Sequence, residues 1–367
     1  MSNLSKKTAV VLFNLGGPDK IESVQNFLFN LFNDHAIIGL PQPFRFLLAK
    51  FISSKRVKKA QGIYSKIGGK SPLLEITLQQ AHELEKELSF LGNFKVFVAM
   101  RYWKPFACET ILEIKNYEPD ELILLPLYPQ FSSATSETSI DEFVKKFALQ
   151  NLKSNKKITT KVVCCYPIQP SFIKSHAVLI KQTISKFYDK DLSEFRFLFS
   201  AHGLPQKLIN AGDPYVFQVE ETTKKIIEAL GEILKISHEE ITKKIDFQIC
   251  YQSKVGPLKW TSPSLDQEIR RVALDKKIPV IIPVAFVSDH SETLVELDID
   301  YKEMAEDLGI KDYLRVPSLN FEGNFIKSLF EICKSVDSKE DSKIFCAQNP
   351  ERICPKNMKM CPNQNFN

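Results

Sequence analysis

His202 is the residue whose type and setting most directly indicate chemistry. It follows the apolar run FRFLFS and lies within SAHGLP at 200–205, where a glycine and a proline redirect the chain. A histidine can accept a proton near neutral pH or ligate a metal ion. A lone histidine is more often an ordinary loop residue, but the position at a predicted strand end favours a functional role.

A second group of chemically active residues lies in VSDHSETLVELDIDY at 287–301. If a helix follows Asp289, then Glu292, Glu296 and Asp300 recur every four residues and lie along one face. Like charges at this spacing repel each other, and the motif contains no Lys or Arg to offset them. The pattern indicates either a solvated acidic helix start or a path for protons and cations, since hard oxygen ligands suit a transient hold on Fe²⁺.

The rest of the sequence predicts an α/β fold that places these residues at strand ends. Short apolar runs alternate with amphipathic stretches, and the runs are 9–14, 94–100, 121–127, 160–164, 196–200, 246–250 and 279–287. Such runs, separated by helices, are typical of parallel sheets covered on both faces. Ligands bind beyond the carboxyl ends of strands in such sheets, so we expect one cleft to which both halves of the chain contribute.

Chain length and this alternation predict two doubly wound domains. A chain of 367 residues is long for one core. The predicted domains are 7–170 and 171–309, followed by a helical segment at 310–340 and a cysteine-containing tail at 341–367. The sequence alone leaves open which domain the last helix contacts.

Composition excludes several classes of function. Lys and Arg exceed Asp and Glu by 49 to 44, a net charge of +5, which is too small to imply nucleic acid binding. No signal peptide pattern and no apolar stretch of membrane-spanning length is found, so we expect a cytoplasmic protein. The segment NLGGP at 14–18 lacks the glycine patterns of nucleotide-binding loops.

Seven segments, taken in order along the chain, resemble the motifs of ferrochelatases. They are NLGGP, YSKIGGKSP, MRYWKP, LYPQFSSATS, FSAHGLP, YQSKVGPLKW and VSDHSETLVELDIDY. The resemblance covers roughly residues 8–335 and implies two similar Rossmann-like domains. Each would be a four-stranded parallel sheet flanked by helices, with the C-terminal helix returning to the first domain. The implied activity is that of a lyase inserting Fe²⁺ into protoporphyrin IX to form protoheme, the terminal step of heme biosynthesis.

The resemblance also implies roles for individual residues. His202 matches the histidine that binds metal and takes the pyrrole protons, and Glu292 matches its carboxylate partner, which we expect to face it from the other half of the molecule. Four further residues match an acidic conduit: Asp289, His290, Glu296 and Asp300. Seven match porphyrin-binding positions: Tyr64, Ser71, Arg101, Tyr102 and Trp260, with Arg56 and Lys59 on the propionate side.

Cysteine usage leaves the cofactor open. The chemistry of metal insertion requires no cofactor, but some ferrochelatases carry a [2Fe–2S] cluster, which four thiolates satisfy. Ser133 stands where the vertebrate type has a cysteine, and the tail spacing also differs from that type. The candidate cluster ligands here are Cys164, Cys165, Cys346, Cys354 and Cys361, and the alternative is that these are reduced thiols.

Residues 36–52, AIIGLPQPFRFLLAKFI, resemble the apolar lip of membrane-associated ferrochelatases. An apolar segment followed by the basic run 55–59 suits peripheral contact with an anionic bilayer at the inner face of the membrane. A buried helix is the alternative.

Three functional alternatives remain at this point. The expected substrates are protoporphyrin and ferrous iron, with the lip and the tail cysteines favouring protoporphyrin. A chelatase using coproporphyrin or cobalt is the nearest rival, and a non-catalytic tetrapyrrole- or metal-binding protein is the third. The sequence leaves a monomer and a homodimer both open.

Overall fold

The computed structural model describes residues 6–151, 158–187, 189–254, 258–339, 344–346 and 352–363. The chain divides into two compact units. The first comprises Met1–Cys165, Leu329–Arg352 and Asn365–Asn367, and the second comprises Tyr166–Ser328 and Ile353–Gln364. The first division falls within five residues of the predicted boundary at 170, and the second at 328 rather than 309.

The first unit is a parallel sheet with helices. Its strands are β1 (Lys7–Asn14), β2 (Asn93–Met100), β3 (Glu121–Pro126), β4 (Thr159–Cys165) and β9 (Ile344–Cys346), in the order β2-β1-β3-β4-β9. Its helices are α1 (Val24–Phe32), α2 (Phe44–Ser65), α3 (Leu73–Leu88), α4 (Ala107–Tyr117) and α5 (Ser136–Asn151). Strands β1 and β3 are buried almost throughout because helices cover the sheet.

The second unit repeats this arrangement with four strands. They are β5 (Phe195–His202), β6 (Asp246–Gln252), β7 (Ile278–Pro283) and β8 (Leu314–Arg315), in the order β6-β5-β7-β8, all parallel. The helices are α6 (Pro170–Ile184), α7 (Gln206–Asn210), α8 (Tyr215–Leu234), α9 (His238–Lys244), α10 (Leu265–Leu274), a π-helix (Glu292–Asp300) and α11 (Tyr301–Asp307). The last helix, α12 (Gly323–Asp337), begins in the second unit and ends in the first.

The α/β fold with two Rossmann-like parallel sheets is confirmed, and three local expectations differ. Strand β9 adds a fifth strand to the first sheet, from a tail in which no strand was predicted. Strand β7 ends at Pro283 rather than at residue 287. The helix that carries the acidic residues has the i→i+5 hydrogen bonds of a π-helix, as in the bond from Tyr301 N to Glu296 O.

Candidate active site

The His202 ring and the Glu292 carboxylate are in direct contact within the second unit. His202 is the last residue of β5, and Glu292 is the first residue of the π-helix. His202 Nδ1 lies 2.9 Å from Glu292 Oε2, and the side chains are 37% and 27% exposed. The expectation that they come from different halves of the molecule is therefore wrong, because both belong to one sheet and its following helix. The contact uses Nδ1 of the ring, and Nε2 takes no part in it.

The two groups shift each other's pKa in opposite directions. Desolvation opposes protonation of the ring, but the Glu292 carboxylate outweighs it and raises the pKa of His202 above its usual 6.5. Desolvation likewise opposes ionisation of Glu292, and His202 more than compensates, so the pKa of this carboxyl falls to about 2. A neutral imidazole beside an ionised carboxylate is a group that can accept a proton and hold it.

Glu296 continues the acidic line and is oriented by the end of β6. Ser253 donates from its backbone N to Glu296 Oε1 at 3.0 Å and also from its hydroxyl, and Gln252 Nε2 donates to Glu296 Oε2 at 3.2 Å. Burial and the neighbouring Glu292 raise the pKa of Glu296. Asp300, at the end of the π-helix, is exposed. The carboxylates thus run from the His202 contact to the surface.

Asp289 and His290, also predicted for the conduit, lie just before the π-helix. Asp289 is bonded to Arg315 Nη1 at 3.0 Å and to Asn320 Nδ2 at 2.8 Å. Burial opposes its ionisation, but the charge of Arg315 lowers the pKa of Asp289 below the usual value. Burial lowers the pKa of His290, whose ring lies 4.9 Å from that of Phe286. Among the described residues, His290 Nδ1 has no hydrogen-bond partner.

Trp260 packs against the loop that follows His202. A β-bridge joins Trp260 to Pro205, and a Cβ at Gly203 would lie 3.3 Å from Trp260 Cε3. The indole nitrogen of Trp260 has no partner within the described chain. The structure therefore brings this predicted porphyrin-binding residue close to the histidine. Residues 255–257 of the same motif lie outside the described residues.

The other six predicted porphyrin-binding residues lie in the first unit, and four of them, Tyr64, Ser71, Arg101 and Tyr102, are buried or held by contacts within it. Ser71 closes against the NLGGP loop, because its N donates to Pro18 O at 2.8 Å and a Cβ at Gly17 would lie 2.5 Å from Ser71 Cβ. Tyr64 is buried, with its ring edge-on to Phe27 at 6.5 Å.

The other two, Arg101 and Tyr102, share one carboxylate. Arg101 Nη2 and the Tyr102 hydroxyl both donate to Asp34 Oδ2 at 2.7 Å, and Arg101 Nη1 pairs with Glu142. These contacts occupy the groups that sequence analysis assigned to porphyrin. Arg56 and Lys59, by contrast, are exposed on α2.

Three of the five candidate cluster cysteines meet in the first unit. Cys164 Sγ lies 3.3 Å from Cys165 Sγ, and Cys165 Sγ lies 3.5 Å from Cys346 Sγ. All three are buried, and their sulfur atoms lie within 4.8 Å of one another. They meet because β9 pairs with β4 and sets Cys346 opposite Cys165. The neighbouring thiols, with burial, raise the pKa of Cys165 well above its usual value.

The other two candidates, Cys354 and Cys361, are buried in the second unit. Cys354 Sγ accepts a hydrogen bond from Gln218 Nε2 at 3.2 Å.

Four residues that orient these groups were not predicted from the sequence: Gln252, Ser253, Arg315 and Asp34. Gln252 and Ser253 lie in the motif YQSKVGPLKW, which points to this part of the chain. The motif does not indicate that they contact Glu296. No local signal distinguishes the other two, because their partners are distant in sequence.

A histidine–carboxylate pair thus lies at a strand end, and imidazole and carboxylate groups are ones that can accept protons and ligate divalent cations. The sequence matches the family model for ferrochelatase over residues 7–336. It is 50% identical over 363 residues to the ferrochelatase of Rickettsia bellii, covering 98% of this chain and 96% of that one. It is 45% identical over 364 residues to the ferrochelatase of Pelagibacter ubique, covering 98% and 99%.

Among solved structures, SirB from Bacillus subtilis with Fe³⁺ shares 12% identity at a TM-score of 0.49 and covers 90% of this chain and 96% of that one. The chain belongs to the ferrochelatase family and is an enzyme that inserts metal into a porphyrin.

Proposed function

We propose that this enzyme inserts ferrous iron into protoporphyrin IX, with His202 as the base and Glu292 as its carboxylate partner. The observation that carries the assignment of roles is the 2.9 Å contact between His202 Nδ1 and Glu292 Oε2. Metal insertion releases two pyrrole protons, so the site needs a base and a route for protons away from it. The pair supplies the base, and Glu296 and Asp300 continue the route.

The division of labour follows from the charges. A neutral His202 takes a pyrrole proton at Nε2, and Glu292 stabilises the resulting imidazolium across the Nδ1 contact. Burial and the charge of Glu292 raise the pKa of Glu296. Glu296 can therefore accept the second proton more readily than an ordinary carboxylate. His290, with an unbonded Nδ1 within the described residues, is a further group for iron to meet on its way to the ring.

The preference for protoporphyrin is supported by the exposed apolar side chains of the lip at 36–52. Protoporphyrin and its iron product are less charged than coproporphyrin and its iron product, so an apolar surface suits them better. Coproporphyrin remains the second candidate. The test is anaerobic Fe²⁺ insertion into each porphyrin by the wild type, His202→Ala and Glu292→Gln, with exposed Glu303→Gln as the control. We expect a higher kcat/KM for protoporphyrin, and variants at 202 and 292 that bind porphyrin tightly but turn over little.

Full turnover in His202→Ala would remove the base from the proposal. A higher kcat/KM for coproporphyrin would move the substrate assignment to the second candidate.

We propose peripheral binding to anionic membranes through the lip at 36–52. Six of its large apolar side chains are 43–64% exposed: Ile37, Leu40, Phe44, Phe46, Leu47 and Phe51. This exposure does not fit the alternative of a buried helix. The basic run 55–59 follows on the same helix, α2, and can contact anionic headgroups. In the described part of the chain, every helix is too short or too polar to cross a bilayer.

Vesicle flotation tests the lip. The wild type should float with anionic vesicles and less with zwitterionic ones, and the double variant Phe44→Ser/Phe51→Ser should lose flotation. Phe90→Ser is the matched control, because Phe90 is 79% exposed but lies after α3, outside the lip. Equal flotation of the two variants would contradict the lip as the contact.

We propose that Cys164, Cys165 and Cys346 supply three of the four thiolates of a [2Fe–2S] cluster. Three buried sulfur atoms within 4.8 Å fit such a group. Burial and the neighbouring thiols raise the pKa of Cys165, so thiolates at this position would need a cation to balance their charge. The cluster would supply a one-electron centre that also ties the tail to β4, and iron insertion at His202 requires no step through it.

The absorption spectrum of anaerobically purified protein, with iron and labile-sulfide analysis, tests the cluster. Visible bands should be present in the wild type and in Cys108→Ser, an exposed control, and absent in Cys165→Ser. A colourless wild type without labile sulfide would leave these residues as reduced thiols.

A further inference from the structure

Arg315 joins two points of the segment that carries the active-site carboxylates. From β8, its Nε donates to Asp298 Oδ1 at 2.7 Å, and its Nη2 pairs with the second oxygen of the same carboxylate. Its Nη1 donates to Asp289 Oδ1 at 3.0 Å. Asp289 precedes the π-helix and Asp298 lies within it, so one guanidinium bridges the stretch that contains Glu292 and Glu296.

Two neighbours of Arg315 reinforce the same attachment. Asn320 and Asp289 exchange two hydrogen bonds, with Asn320 Nδ2 donating to Asp289 Oδ2 at 2.8 Å and Asp289 N donating to Asn320 Oδ1 at 2.9 Å. The Tyr313 hydroxyl donates to Leu297 O at 2.7 Å. The segment 313–320 therefore contacts the π-helix at its start, through Asp289, and near its end.

The π-helix needs an external attachment for two physical reasons. Hydrogen bonds of the i→i+5 type are rare in proteins and mostly limited to single turns, whereas this helix has nine residues. Its sequence ETLVELDID has four acidic and no basic residues, so its carboxylates repel one another. Arg315 supplies positive charge from a neighbouring strand, and its side chain is only 13% exposed.

We propose that Arg315 is a positioning residue for metal insertion, whose guanidinium holds Asp289 and Asp298 at the distance that sets Glu292 against His202. The inference rests on the role of Glu292 proposed above. Arg315 does not touch the reacting atoms; it acts through the backbone of the π-helix. A planar guanidinium can bridge two carboxylates, and an ammonium group of similar charge cannot do so with the same geometry.

Arg196 provides a matched control in the same sheet. It bridges Asp246, from Nε at 2.9 Å, and Asp275, from Nη1 at 2.8 Å, and its side chain is 9% exposed. This bridge lies at the start of β5, whereas His202 lies at the end of that strand. Arg196→Lys therefore removes an equivalent structural contact away from the site.

The experiment compares Arg315→Lys with Arg196→Lys in the full-length enzyme. Hydrogen–deuterium exchange in peptides covering 289–300 should become faster only in Arg315→Lys. Its kcat should fall about 10- to 100-fold, as expected for a misplaced catalytic group, while KM for porphyrin stays unchanged. Arg196→Lys should lose thermal stability without either change. Asp298→Asn, which keeps the side-chain shape but removes a charge, should show the same effects in smaller degree.

Two results would overturn the inference. One is unchanged exchange over 289–300 in Arg315→Lys, and the other is faster exchange with kcat intact. Retained turnover in Glu292→Gln is a separate result, which would remove the proposed role of Glu292. The exchange rates over 289–300 would still test whether Arg315 holds that segment in place.

Discussion

Two histidines of the second unit have opposite surroundings. His202, at the end of β5, is 37% exposed and lies 2.9 Å from the carboxylate of Glu292. His176, within α6, is 1% exposed and packs edge-on against Phe172 at 5.0 Å between ring centroids. In the described chain, neither ring nitrogen of His176 has a hydrogen-bond partner. One ring can exchange protons with its surroundings, and the other is enclosed in apolar packing.

The electrostatic consequence has opposite sign at the two positions. A neighbouring carboxylate favours the imidazolium, so the pKa of His202 is raised despite desolvation. Burial without a counter-charge disfavours it, so the pKa of His176 falls to about 3. A neighbouring carboxylate thus decides whether a histidine can become protonated near neutral pH or stays neutral. Its position in the core or at a strand end matters less.

The largest expected difference between the two histidines is in turnover. His202→Ala should lower kcat for iron insertion by about 10²- to 10⁴-fold, the usual contribution of a general base. His176→Leu should retain the wild-type kcat, because the ring that it removes contacts no reacting group. Circular dichroism and thermal melting should show both variants folded. Comparable losses of kcat in the two variants would contradict the assignment of the base to His202 alone.

The second expected effect is on stability in acid, and it belongs to His176. Its pKa is about 3 in the folded protein and about 6.5 in an unfolded chain, so the unfolded state binds the extra proton between these values. Stability is therefore lost as pH falls below 6.5, by about 2 kcal/mol between pH 7 and pH 5 from this residue. Urea unfolding at several pH values should show a flatter pH dependence in His176→Leu. Parallel curves for the two proteins would mean that another group takes up the proton.

The sequence predicts those strands and helices that are long enough to show a recognisable pattern of apolar residues. Strands such as 9–14 and 196–200 follow from the sequence because strands buried on both faces are nearly continuous apolar runs. Strands β8 and β9, with two and three residues, are too short to carry any pattern. The four-residue spacing of the acids predicts a helix but does not distinguish i→i+4 from i→i+5 hydrogen bonds.

Site residues were predictable one at a time, and their contacts were not. Motifs marked His202 and Glu292, yet these residues are 90 positions apart, and their direct contact depends on the packing of the π-helix beside β5. Arg315 lies in none of the motifs, and its contacts are with two carboxylates elsewhere in the chain. His176 could not be distinguished from a surface histidine by its neighbours in sequence.

The pH dependence of turnover measures the His202 environment directly. The base must be neutral to accept a pyrrole proton, so kcat/KM for porphyrin should rise with pH through the pKa of His202. Because Glu292 raises that pKa, the midpoint of the acidic limb should lie above 6.5, the unperturbed value. Initial rates at saturating Fe²⁺ under anaerobic conditions give the midpoint. A midpoint at or below 6.5 would show that the carboxylate does not govern the ring in solution.

The smallest expected effect comes from Glu296, the second carboxylate near the ring. It also raises the pKa of His202, and it contributes less than Glu292 does. In Glu296→Gln the acidic limb should therefore move to lower pH. The amide oxygen can still accept the bond from Ser253 N, but the amide nitrogen cannot accept the one from Gln252 Nε2. Glu303→Gln, an exposed change on α11, should leave the limb where the wild type has it. A limb that moves equally in both variants would assign the shift to general surface charge, and one that moves to higher pH would reverse the sign of the interaction between Glu296 and the base.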